Sequence, residues 1–142
     1  MIPWAAAVAI ALAACALAVL LARHRFLVVT VVGSSMEPTL RPGDRVLVRR
    51  HRRVPAGVGD VLVFHEPDGQ RAIKRVAAVA GDAVPDSVRP VTGGTDVVPP
   101  GMLVLLGDGI RSGDSRQWGF IPADRALGLM IRKLSARALV HE

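Results

Sequence analysis

The N-terminal apolar run constrains this chain more than any other feature. Ile2 to Ala22 is 21 residues without a charged or strongly polar side chain. At about 1.5 Å rise per residue such a helix spans about 30 Å, the thickness of a bilayer core. A cleaved secretory signal has a basic start and an apolar core of only about 7 to 15 residues. Here no Lys or Arg precedes a longer run. Leu12-Ala13-Ala14-Cys15 has the look of a lipoprotein processing site, yet the apolar stretch continues for seven residues beyond the cysteine. The expected organisation is a transmembrane anchor over residues 1–25, with Trp4 placed for interfacial anchoring, then a compact domain over 26–135 and a tail over 136–142.

The domain after the anchor must be held together by its own core. The one cysteine, Cys15, lies inside the apolar run, which excludes an internal disulfide framework and a cysteine-based zinc site. No metal-ligand spacing is present, and no cofactor is expected. The net charge of +6 suits either nucleic acid or an anionic membrane surface. The chain has no Tyr and few other aromatics on which bases could stack, so lipid headgroups are the expected counter-charge and nucleic acid is not. The basic run Arg49, Arg50, His51, Arg52, Arg53 is expected in a hairpin connection, either as a solvated loop or in contact with anionic lipid.

From Phe26 onward, short apolar or alternating runs recur at Phe26 to Val32, Arg45 to Val48, Val61 to Phe64, Ala72 to Val79, Met102 to Leu106 and Leu127 to Arg132. Turn signals separate them, among them Pro42-Gly43-Asp44, Gly59-Asp60, Pro67-Asp68-Gly69 and Pro99-Pro100-Gly101. Many short strands with Gly and Pro turns predict an all-β domain.

Three constellations carry candidate chemistry. Gly33-Ser34-Ser35-Met36-Glu37-Pro38-Thr39-Leu40 follows the first predicted strand. A serine there, between Gly and Pro, can be exposed on a tight turn. Ala72-Ile73-Lys74-Arg75-Val76 places a lysine inside an apolar strand. Such a lysine ordinarily snorkels to the surface. Buried instead, it loses basicity, because burial disfavours the charged form, and a neutral amine can take a hydroxyl proton. The third constellation runs through Gly107-Asp108-Gly109, Ser112-Gly113-Asp114-Ser115-Arg116 and Trp118-Gly119-Phe120. Here Asp114 and Arg116 can form an ion pair, and a serine hydroxyl can partner a neutral amine.

In this order behind one membrane helix, the three constellations resemble the type I signal peptidases, from about Val32 to Gly128. The resemblance implies a compact signal-peptidase-like β domain with Ser35 as nucleophile and Lys74 as general base. It further implies Ser34 and Ser112 as support for the oxyanion hole and the dyad, with Asp114 and Arg116 as a structural ion pair. The implied reaction is removal of signal peptides from secreted precursors through an acyl-enzyme on Ser35. The substrate would bind extended along a sheet edge, with small residues preferred just before the cut. Two departures stand out. Gly107-Asp108-Gly109 replaces the usual Gly-Asp-Asn, and the insert between Gly81 and Met102 is short, so an extra β subdomain is reduced or absent.

The resemblance places the domain outside the cytoplasm. Against this, Arg23, His24 and Arg25 follow the apolar run, and the positive-inside rule favours the cytoplasmic side for them. A maturation protease for one precursor, similar to the nickel superoxide dismutase maturation proteases, is the nearest alternative. A non-catalytic membrane-surface binder is the alternative from another class, and retention of both Ser35 and Lys74 disfavours it. A self-cleaving repressor would need a DNA-binding helix pair where the apolar run stands. His24, His51, His65 and His141 sit in no triad-like setting and are expected to be surface residues.

Overall fold

The computed structural model describes Met1 and residues 3–136. The apolar run forms helix α1, Trp4–Arg25. Its Ala- and Leu-rich composition favours helix, and Arg23, His24 and Arg25 sit in the last turn, where cations complement the helix dipole. No residue of α1 is buried by the rest of the chain. The helix is long and apolar enough to cross a membrane.

At Phe26 the backbone turns extended and enters strand β1, Phe26–Thr30. The remaining strands are β2 Asp44–Arg50, β3 Val61–His65, β4 Arg71–Val79, β5 Met102–Leu106, β6 Ile121–Pro122 and β7 Ala126–Ala136. They form one antiparallel sheet in the order β1-β2-β7-β3-β4-β5-β6. The domain is thus mostly β, with one N-terminal apolar helix, as the run pattern predicts. The last strand extends beyond its expected end at Arg132. Of the expected tail, Ala136 belongs to β7, and residues 137–142, with His141, lie outside the described residues. The basic run begins inside β2, at Arg49 and Arg50, and only His51, Arg52 and Arg53 belong to the connection after that strand.

β3 reads Val61-Leu62-Val63-Phe64 without polar interruption because both of its faces are covered. Val61 and Val63 point into a core with Val31, Met36, Leu40, Val46, Val48 and Ile73. Leu62 and Phe64 point into a second core with Val76, Leu103, Leu105 and Ile121. A third cluster, around Val84, Val88 and Val98, packs on Ala78 and Val104. It lies under the segment between Gly81 and Met102, where the described structure is a 3-10 turn at Arg89–Val91 and one bridge, Ala83 to Val97.

Register shifts within β2–β7 and β3–β7 are the irregularities that bend a sheet. Bending brings free edge strand β1 to face β4 across a groove of about 700 Å³. At Gly128 the neighbouring strand passes so close that a Cβ would meet the Arg49 carbonyl and the Val48 side chain.

Candidate active site

The nucleophile candidate sits on the β1–β2 connection. The two strands zip onward past their ends: the Val31 N–H donates to the Asp44 carbonyl at 2.8 Å and the Gly43 N–H donates to the Val31 carbonyl at 2.9 Å. The loop between them is pinned from inside by Met36 and Leu40, at 1% and 2% exposure. With Met36 turned into the core, its neighbour Ser35 is left half-buried on the groove wall. Asp44 closes the loop's base. Its carboxylate accepts from the Arg41 N–H at 2.9 Å and pairs with Lys133 at 2.7 Å. The Lys133 hydrogen bond first, then that from Arg41, holds the Asp44 carboxyl below the usual range.

Lys74 lies across the groove on β4, at 3% exposure. Burial is the main cause that pushes its pKa below the ordinary 10.5. Glu66 and Asp114 oppose this shift and Arg116 adds to it. No ion pair neutralises the amine among the described residues. The structure therefore brings Ser35 and Lys74 to one groove, although no hydrogen bond joins them.

The third constellation packs beneath both. Asp114 is fully buried at the start of the short helix α2, Ser115–Trp118. Burial raises its pKa, but hydrogen bonds outweigh that and leave it lowered. They come from the Arg116 guanidinium at 2.9 and 2.7 Å, the Gly107 N–H at 2.9 Å and the Arg116 N–H at 3.0 Å. The expected Asp114–Arg116 pair is thus present, and Asp114 also caps α2 in a capping box with Gln117. The neighbouring Ser115 hydroxyl accepts from the Leu105 N–H at 2.9 Å, tying α2 to β5.

The Ser112 hydroxyl is buried and meets hydrogen-bond geometry with no described group, although it lies near enough to Asp114 to help lower that carboxyl. Ser34 is exposed and is not among the groove-lining residues. Its carbonyl accepts from the Glu37 N–H at 3.1 Å.

One connection is not foreseen from the sequence. Arg75, next to Lys74, grips Asp108 through two hydrogen bonds of 2.9 and 2.7 Å, and the Thr39 hydroxyl donates to the same carboxylate at 2.7 Å. Thr39, Arg75 and Asp108 come one from each of the three constellations. The two Asp108 oxygens therefore cross-link the Ser35 loop, the Lys74 strand and the Gly107 loop. A fork-shaped Arg beside the lysine and an Asp in the Gly-rich loop are visible in sequence; their pairing is not. Asp108→Asn should lower stability by about 1 to 3 kcal/mol and reduce any activity of the site more than its effect on folding explains. Thermal unfolding alongside turnover checks this, and unchanged turnover would remove Asp108 from the machinery.

The site is thus a groove between edge strand β1 and β4, with the buried Lys74 and the half-buried Ser35 both in its lining. Comparison with known proteins gives the family. The family model described as signal peptidase, peptidase S26 matches residues 2–87 and 85–133. Probable signal peptidase I-1 of Synechocystis sp. is 31% identical over 132 residues, covering 69% of this chain and 65% of that protein. Probable signal peptidase I-2 of the same organism is 29% identical over 126 residues, covering 69% of this chain and 58% of its own length. Signal peptidase IB of Staphylococcus aureus is 30% identical over 138 residues, covering 70% of this chain and 72% of the relative. The chain belongs to the signal peptidase, peptidase S26 family. It spans just under two thirds of the first of these relatives and less of the second.

Proposed function

We propose that this chain is a membrane-anchored serine endopeptidase that removes signal peptides from secreted precursors, with Ser35 as nucleophile and Lys74 as general base. The observation that carries the reading is a lysine at 3% exposure, made less basic by burial, on the same groove as Ser35. In the reaction, neutral Lys74 takes the Ser35 hydroxyl proton as Oγ attacks the scissile carbonyl. The lysine then gives that proton to the departing amine, leaving an acyl-enzyme. Water, deprotonated by the same amine, releases the signal peptide. Apo distances at such sites tighten when substrate displaces water.

The Ser35 N–H, for which no described group acts as acceptor, is free to stabilise the oxyanion, and Ser112 is placed to orient the amine. The precursor binds extended, adding a strand at the free edge of β1. Val28, Val29, Val31, Val32 and Ile73 supply apolar walls there, suited to small side chains just before the cut.

Helix α1 spans the membrane in this reading and the domain lies on its extracytoplasmic side. Register supports contact with anionic lipid. Phe26, the first residue after α1, pairs with Arg49, so exposed Arg49 and Arg50 lie beside Arg23 and Arg25 at the end of the helix.

The test is cleavage of a model precursor with an alanine-type signal peptide by the full chain in detergent. Wild type should cut just after the small residues. Ser35→Ala and Lys74→Ala should each lose about 10³-fold or more with the fold retained. A folded wild type that leaves the precursor intact, or a Ser35→Ala variant that still cuts it, would overturn the assignment.

A further inference from the structure

The groove is not uniformly apolar. Ser35 and Lys74 stand at one end, and the other end is formed by the β3–β4 turn, which contributes His65, Glu66 and Gln70. Glu66 is half-buried there. Among the described residues its carboxylate has no ion-pair partner. The Arg125 guanidinium donates to the Glu66 backbone carbonyl instead, at 2.9 Å. Arg71, also at this end, is exposed and unpaired with it. Burial is the main cause that raises the Glu66 pKa, with Asp68 adding to it and Lys74 opposing it. An under-solvated carboxylate without an ion-pair partner gains when a ligand brings a cation into contact with it.

Distance along the groove says which substrate residue would do so. Lys74 pairs with Leu62 and Arg71 with His65, and the Glu66 N–H donates to the Gln70 carbonyl at 2.8 Å. Glu66 therefore stands opposite Gln70, four positions from Lys74 on β4. At about 3.3 Å per residue this is about 13 Å. β1 runs from the membrane helix toward the Ser35 loop, and a precursor held in the same bilayer enters by the same route. The residues along the groove are accordingly those before the cut.

Resting on the signal-peptide reading above, we propose that Glu66 forms an acidic subsite that selects precursors with a lysine or arginine four or five residues before the scissile bond.

The experiment walks a single Lys, and in a second series a single Glu, through the second to seventh positions before the cut of an otherwise neutral precursor. The full-length wild type, Glu66→Gln and Glu66→Lys are compared in detergent. In wild type the ratio of kcat/KM for Lys over Glu should peak at about fivefold at the fourth or fifth position. The ratio should fall to about one in Glu66→Gln and invert in Glu66→Lys. Because it is taken within each variant, an altered Lys74 basicity or folded fraction cancels. A ratio unchanged by Glu66→Gln, or one that peaks elsewhere, overturns the subsite. Binding of the same peptides to Ser35→Ala, read by fluorescence anisotropy, separates the two claims. Charge-selective binding without cleavage by wild type would remove the peptidase reading and leave the subsite standing; cleavage without charge selectivity would do the reverse.

Discussion

Lys74→Met is expected to abolish cleavage and, at neutral pH, to make the protein more stable. Both outcomes stem from one cost. Burial lowers the pKa of Lys74, so folding opposes the proton that the amine holds in the unfolded chain. Between the folded pKa and the ordinary value of 10.5, the unfolded state binds more protons than the folded state. Stability contributed by this site therefore rises with pH through that window, and the full penalty applies below it. Methionine has a similar shape and no charge, so the variant should unfold at a higher temperature at pH 7, and its advantage should shrink as pH approaches 10.5.

Turnover tracks the same titration. In the proposed reaction attack requires the neutral amine, so wild-type kcat/KM should climb about tenfold per pH unit and level off at a midpoint below 10.5. Glu66 holds the Lys74 pKa up, so Glu66→Gln should move this midpoint to lower pH. A midpoint at the ordinary lysine value, or a Lys74→Met variant less stable than wild type at pH 7, would contradict the burial argument.

Local pattern reveals the apolar helix and six of the seven strands, because each is written as a continuous run bounded by Gly and Pro. Pairing is less legible. β7 inserts between β2 and β3, a contact made across most of the chain, and nothing in its own residues names those neighbours. β6 is only two residues long and too short to show a period. Ser35 and Lys74 stand out through their place in motifs that resemble those of the type I signal peptidases, since a serine in a turn and a lysine in an apolar strand are ordinary features when taken singly. Glu66 does not, since a Glu before Pro67-Asp68-Gly69 reads as an ordinary turn residue. Only the closing of the groove gives it a role. The basic residues after α1 and those of β2 are legible as charge, while their adjacency depends on the β1–β2 register.

Gly109 departs from the usual Gly-Asp-Asn, and the packing supplies its reason. A Cβ at Gly109 would stand 2.5 Å from the Ser34 carbonyl oxygen and 3.1 Å from that of Ser35. Its own N–H donates to the Ser35 carbonyl at 2.8 Å. A Cβ at Gly107 would run into the Ser112 hydroxyl and stand 2.5 Å from the Ser35 carbonyl oxygen. Both glycines are therefore required by close approach of backbone to backbone, since neither has a positive φ.

Gly107→Ala and Gly109→Asn should each push the Ser35 loop away from β4, costing about 1 to 3 kcal/mol of stability. Because a displacement of about 1 Å at a reacting group can cost about 100-fold, cleavage should fall by that order while the protein stays folded. Gly113→Ala is the internal control. Its Cβ would touch only the Trp118 ring, at 3.4 Å, which is an ordinary contact, so melting temperature and turnover should barely change. The three variants measured side by side decide the matter: an equal loss at Gly113 would mean that the whole loop is merely fragile, whereas loss confined to Gly107 and Gly109 ties activity to the distance between this loop and the Ser35 backbone.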